Sequence, residues 1–268
     1  MSQRNITRRA TAGGLAAGVG LLPYGIGVSN AQPAQKTFLL VHGTFAGGWC
    51  WRRVADLLEK QGHKVFSPTL TGLGERSHLA SKDINLDTHI TDIVNVFKWE
   101  DLRSVCLVAH SYGGWIGSGI AEQVGDRITS IVWLDAYKPG NGQKPIDLTN
   151  EAFRKIVLTA VEKGDATFSP PPKLPPIFVN ENDRAYVDAK LTPHPVSTYL
   201  QPIKLTGARE NVTKKTYIRA LNFPSPAFDR ALLECRTDQT WNTLDTNSYH
   251  IVMLDEPEWL AETLVKSA

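Results

Sequence analysis

The chain has 268 residues, a formal net charge of +2, 42% apolar and 21% charged side chains, the proportions of one water-soluble globular domain. So small a net charge, with no basic run interleaved with aromatics, excludes the electrostatic footprint of a nucleic-acid-binding protein. Three cysteines (Cys50, Cys106, Cys235) allow at most one bridge and make no disulfide framework, and no Cys/His spacing suggests a metal.

Residues 1–31 read as an export signal. Arg4, Arg8 and Arg9 precede an uncharged, mildly apolar stretch from Ala10 to Val28, and Ser29-Asn30-Ala31 supplies small residues for a signal peptidase. The paired Arg8-Arg9 and the Gly/Ala-rich core favour a twin-arginine-like route, although Thr11 stands where that signal usually has a large apolar residue. Glycines and Pro23 argue against a stable spanning helix. The expected mature chain, 32–268, is periplasmic or secreted, and free of the membrane once the signal is removed.

Lys36 to Val41 is a buried strand, followed by the Gly-rich loop His42-Gly43-Thr44-Phe45-Ala46-Gly47-Gly48. Trp49 to Gln61 has helical apolar spacing and stops at Gly62. Lys64 to Pro68 is a second strand, Thr69 to Leu79 a turn-rich loop, and Asp87 to Trp99 a helix. A third strand ends at Ser111, and its helix runs to about Val124. Ile128 to Leu134 is the fourth, closed by Asp135. From about 138 to 208 the rhythm fails: prolines cluster (Pro170-Pro171-Pro172, Pro175-Pro176), two short helices are predicted near Glu151–Glu162 and Asn182–Leu191, and no clean strand is. Apolar side chains there, among them Phe153, Phe168 and Tyr199, predict a small cap inserted after the fourth strand. Strand, helix, strand and helix then follow at 215–221, 227–235, 241–244 and 256–266. Strands alternating with helices imply an α/β fold with a mostly parallel six-stranded sheet covered on both faces.

The chemistry centres on Ala109-His110-Ser111-Tyr112-Gly113, a strand, a sharp turn and a helix with a serine at the apex. A nucleophile in that strained turn needs small residues two before and two after it, which Ala109 and Gly113 provide, although the usual first residue is glycine. A serine nucleophile also needs a base, an acid that orients it, and donors for the oxyanion. His250 follows the last strand and is the candidate base. Asp135 directly follows the fourth strand and is the candidate acid, with Asp229 as the fallback. The oxyanion donors are expected to be the backbone N–H groups of Thr44 and Tyr112. Phe45, Trp51, Tyr112 and Trp133 are expected to line the substrate pocket. Of the other histidines, His42 is expected to hold the Gly-rich loop and His110 to pack under the turn. His63, His78, His89 and His194 are expected mostly at the surface.

His42 to Trp51, His110-Ser111-Tyr112-Gly113-Gly114, and His250 ahead of Pro257-Glu258-Trp259-Leu260-Ala261 together resemble the α/β-hydrolase superfamily. The likeness is to bacterial relatives of the plant methyl esterase and hydroxynitrile lyase group, and it spans nearly all of the mature chain. It implies the α/β-hydrolase fold and hydrolysis of a small carboxylic ester through an acyl-enzyme, without cofactor. The chain departs from the plant pattern at Leu221-Asn222-Phe223, where the plant relatives carry the acid, so Asp135 takes that role here. The lyases of the group are set apart by a threonine and a lysine at positions held here by Gly43 and Ile251, which disfavours the alternative of a C–C lyase. A second alternative is a non-catalytic small-ligand-binding protein of this fold, as in hormone receptors, and the complete set Ser111, Asp135 and His250 argues against it. The expected partner is a small-molecule ester, with no nucleic acid and no membrane after removal of the signal.

Overall fold

The computed structural model describes residues 34–268; the export-signal reading falls on residues outside that range. The sheet opens with β1 (Thr37–Val41). A 3-10 turn over Gly48–Trp51 leads into α1 (Arg52–Lys60), which ends at Gly62 with φ +86°, a conformation that glycine adopts without strain. β2 (Lys64–Phe66), α2 (Leu86–Trp99), β3 (Val105–His110), α3 (Gly113–Val124) and β4 (Ile128–Leu134) follow. α2 starts where the sequence supplies a capping box, Asn85 accepting from Thr88 N–H while the Thr88 hydroxyl takes the Asn85 N–H.

The chain then leaves the sheet. α4 (Glu151–Lys163) starts on the Asn150 cap and stops at left-handed Gly164; α5 (Glu181–Asp188) starts on Asn180. Where no strand was expected, β5 (Thr167–Phe168) and β6 (His194–Pro195) form a two-residue antiparallel ladder. So short a ladder has no periodicity to read. The sheet resumes with β7 (Lys214–Ala220). After it come α6 (Pro226–Thr237, capped by Ser225), β8 (Trp241–Thr246), α7 (Val252–Asp255) and α8 (Pro257–Ser267).

All six long strands run parallel in the order β2-β1-β3-β4-β7-β8. Because side chains alternate along a strand, each strand feeds both faces. Leu39, Leu107, Ile131 and Tyr217 pack under α2, α3 and α6, against Ile93, Trp115, Ile116 and Leu232. Phe38, Leu40, Val108, Val132 and Ile218 pack against Val54 and Leu58 of α1, Met253 of α7 and Leu260 and Leu264 of α8. Burying one such side chain stabilises the fold by about 1.5–3 kcal/mol, so the two layers hold the strand ends in place. Those ends, at the carboxyl rim of β1, β3, β4, β7 and β8, carry the polar residues that follow.

Candidate active site

β3 ends at Ser111, whose φ of +55° is the strained conformation expected of a serine at a strand-to-helix apex. Its N–H donates to the Leu134 carbonyl, and its carbonyl accepts from Gly114 and Tyr137, so the turn is tied to β4. Gly113 must be glycine: a Cβ there would lie 2.9 Å from the Val41 carbonyl oxygen. β4 ends at Asp135, also at positive φ (+43°), with its N–H donating to Ile218 O of β7 at 2.7 Å. His250 lies between β8 and α7, its own N–H donating to Ile177 O.

Residues far apart in the chain meet here. The Ser111 hydroxyl lies 3.0 Å from His250 Nε2, and His250 Nδ1 lies 2.6 Å from Asp135 Oδ2. Asp135 is fully buried, and its Oδ1 accepts from Arg219 Nη1 at 2.7 Å and from the Ala220 N–H at 3.2 Å. Asp229, the fallback acid, bonds Arg219 and not the imidazole. The His250 ring is walled by Phe223 (ring centroids 4.3 Å apart, stacked), and by Phe178 and Phe228, each at 5.6 Å.

The loop after β1 comes against the serine because residue 43 is glycine: a Cβ there would stand 2.9 Å from Ser111 Cβ. Thr44 follows Gly43 in this loop and Tyr112 follows Ser111, and neither backbone N–H has an acceptor among the described residues. Phe45 holds φ +64°, and its N–H points at His194 Nδ1 at 3.5 Å. His42 keeps the loop in place as expected: it accepts from Leu70 N–H at Nε2, so its Nδ1–H donates to Gly43 O at 2.8 Å. His110 donates Nε2–H to the His250 carbonyl at 2.9 Å, so the residue beside Ser111 fixes the backbone of His250.

Three histidines expected at the surface are buried instead. His89 donates to Thr71 O and accepts from the Tyr112 hydroxyl; His194 donates to Thr198 and receives Phe45 N–H; Lys36 N–H reaches His63 Nδ1. The rings of His89 and His194 have both nitrogens partnered and so tolerate burial, whereas His63 Nε2 is buried without a partner among the described residues; the partners come from distant segments that no local pattern names. Burial lowers His42 and His89 from their usual range to about 4 and holds His110 and His194 well below it, so all four rings are neutral at pH 7.

A cavity of about 420 Å³ opens over Ser111 and His250. Phe45, Tyr137, Phe153, Phe178, Tyr199 and Phe228 give it aromatic walls. Phe45 is where the sequence reading put it; Trp51, Trp133 and Tyr112 are not. Trp51 lies in the layer under α1. Trp133 points to the opposite face of the sheet, its Nε1–H donating to Tyr137 O, and the Tyr112 ring turns away to His89. Aromatic character predicted a wall, but strand and helix direction sent these three rings into the core. The lining supplied by residues 147–199 escaped the sequence reading, because that stretch lacks a regular period. Cys50 also reaches the cavity, with its thiol pushed well up by burial; all three cysteines are free and buried. Among the described residues no three His, Cys, Asp or Glu side chains are grouped to hold a metal ion, and no helix is long and apolar enough to cross a membrane.

Comparison with known proteins gives three likenesses and a family. The Alpha/beta hydrolase family profile matches residues 38–263. A carbendazim hydrolyzing esterase of Nocardioides sp. (strain SG-4G) is 35% identical over 242 residues, 86% of this chain and 98% of that protein. Putative methylesterase 15, chloroplastic, of Arabidopsis thaliana is 32% identical over 132 residues, 49% of this chain and 29% of the plant protein. Among solved structures, an extracellular alpha/beta-hydrolase from a Paenibacillus species superposes with a TM-score of 0.77 at 24% identity, over 87% of this chain and 99% of that one. This last likeness concerns the fold.

Proposed function

Because the chain belongs to the alpha/beta hydrolase family, we propose that it is a serine esterase in which Ser111 attacks, His250 moves the proton and Asp135 orients the base. Ester hydrolysis is supported by the esterase that is 35% identical over most of the chain and by the methylesterase relatives. The assignment of roles is carried by one observation, the continuous hydrogen-bond chain from Ser111 Oγ through both nitrogens of His250 to Asp135.

Asp135 accepts Nδ1–H, which leaves the Nε2 lone pair facing the serine hydroxyl. As Ser111 Oγ bonds to the ester carbonyl carbon, its proton passes to His250 Nε2 and the carbonyl electron pair moves onto oxygen. That oxyanion meets the N–H groups of Thr44 and Tyr112, each such donor contributing about 3 kcal/mol to the transition state. The tetrahedral intermediate then collapses, the C–O bond breaks, and the leaving alcohol takes the proton from Nε2. Water repeats the sequence on the acyl-enzyme and releases the acid.

The apolar, aromatic cavity fits a small uncharged ester with an apolar or aromatic group. We assign residues 1–31 to an export signal, the mature enzyme being periplasmic or secreted. One preparation tests both readings: protein recovered outside the cytoplasm, with its N-terminus near Gln32, is assayed on p-nitrophenyl acetate beside its Ser111→Ala variant. The variant is expected to lose at least about 10⁴-fold in kcat. Equal rates for the two would overturn the mechanism, and an intact N-terminus the export reading.

A further inference from the structure

The rim of the sheet holds a buried cation that the ester chemistry above leaves unused. Arg219, on β7, is 2% exposed. Strand alternation turns Ile218 and Ala220 to the α1 and α8 face and Arg219 to the α6 face, where its guanidinium lies 5.9 Å from the Phe228 ring. There it sits between two carboxylates. Nη1 donates to Asp135 Oδ1 at 2.7 Å and Nε to Asp229 Oδ1 at 2.9 Å, with Nη2 in ion-pair distance of the same Asp229 oxygen at 2.8 Å. The same fork reaches two carbonyls, Ala220 at 2.5 Å and Phe223 at 2.6 Å.

Two consequences converge on His250. Arg219 Nη1 and the Ala220 N–H occupy Asp135 Oδ1, so the carboxylate plane is set and Oδ2 is the oxygen left for the imidazole. The Phe223 carbonyl is held by the guanidinium, while the Phe223 ring stacks on the imidazole. One side chain therefore grips both the acid and the aromatic wall of the base. A rigid planar fork suits that double task; a lysine ammonium cannot make it.

We propose that Arg219 is a positioning residue of the esterase: it aims Asp135 at His250, seats Phe223 on the imidazole, and offsets part of the charge with which Asp135 holds the His250 proton. This rests on the reading of Ser111, His250 and Asp135 given above. The charged and titratable groups around the imidazole are Asp135 at the end of β4, neutral His110 at the end of β3, and Arg219 on β7 with Asp229 behind it on α6; Cys50, Tyr137 and Asp147 line the same cavity, and the Tyr217 hydroxyl on β7 is engaged by Ala136 O. Arg230 lies across the cavity, and Asp255 of α7 is engaged by Asn180 and Ser248.

The test is the pH dependence of kcat and kcat/KM from about pH 5 to pH 9 for Arg219→Gln, Arg219→Lys and Asp229→Asn, each checked for native circular dichroism. Arg219→Gln is expected to lower kcat about 100-fold with KM nearly unchanged. Its acidic limb of kcat/KM moves up by about one pH unit, because Asp135 then acts on His250 with its whole charge. Arg219→Lys keeps the limb near its native position but loses part of kcat. Asp229→Asn removes an exposed counter-charge from Arg219 and shifts the limb the other way, down by roughly a few tenths of a unit. A folded Arg219→Gln enzyme with an unmoved limb overturns the proposal. Where that variant does not fold, an unmoved limb in Asp229→Asn does so. Failure of the underlying mechanism is read separately, as undiminished activity of Ser111→Ala.

Discussion

The rim of the sheet and the segment between β4 and β7 face each other across one cavity, and they are built on different physics. At the rim, Ser111 and Asp135 sit at strand ends, both at positive φ, and His250 in the loop after β8, above a hydrogen-bonded parallel ladder and two buried apolar layers. The facing segment has short helices, a two-residue ladder and prolines; a few backbone hydrogen bonds tie it to the rim (Ile251 N–H to Phe178 O, Thr192 N–H to Phe45 O), and side chains pack the rest, Phe153 lying 6.0, 5.6 and 5.5 Å from the rings of Phe45, Phe168 and Tyr199. A reacting constellation tolerates little displacement, so it belongs on the rigid half. Shape selection tolerates more, and it can be carried by the irregular half.

That contrast predicts effects of different kind and size. Asp135→Asn at the rim should cost about 10⁴-fold in kcat, because an amide no longer fixes the Nδ1–H tautomer. Stopped or steady-state assays read this directly, and a loss confined to KM would mean that Asp135 is not the orienting acid.

The buried histidines behind the rim should betray themselves in acid. His42 and His89 fall to about 4 in the fold from a usual value of 6.5, because burial disfavours their charged forms. Between those values the unfolded chain binds protons that the folded chain refuses. Stability should therefore be complete above about pH 6.5 and fall by roughly 3 kcal/mol per ring as pH drops toward 4, levelling below that. Denaturant midpoints at several pH values check the slope, and substituting glutamine for His89 should flatten it.

The smallest effect is expected across the cavity. Phe153→Ala should raise KM for an aromatic ester about five-fold and leave kcat within a factor of about two, since it removes wall and no reacting group. A fall in kcat as large as that of Asp135→Asn would erase the distinction between the halves.

Much of the fold could be read from the chain, because its signals are local. Apolar runs and helical spacing mark every long strand and most helices, and the small residues around Ser111 mark the turn. The resemblance to the plant methyl esterase group added the expected places of base and acid. Asp135 could be chosen over the loop after β7 because Leu221-Asn222-Phe223 contains no carboxylate. The misreadings have one cause. Trp51, Trp133, His89 and His194 were judged by what they are, whereas their positions follow from what distant segments bring against them. Nothing near residue 89 announces the Tyr112 hydroxyl, and nothing near residue 219 announces the carboxylate of Asp135.

By itself the sequence determined the alternation of strand and helix, the turn at Ser111 and the order in which Ser111, Asp135 and His250 follow one another. These depend on steric and hydrophobic rules acting over a few residues. Only the tertiary structure decided which rings line the cavity, which histidines are dry and neutral, and that a buried arginine grips the acid. Those outcomes require side chains tens to more than a hundred residues apart to share one desolvated space, where each polar atom must find its partner across the fold.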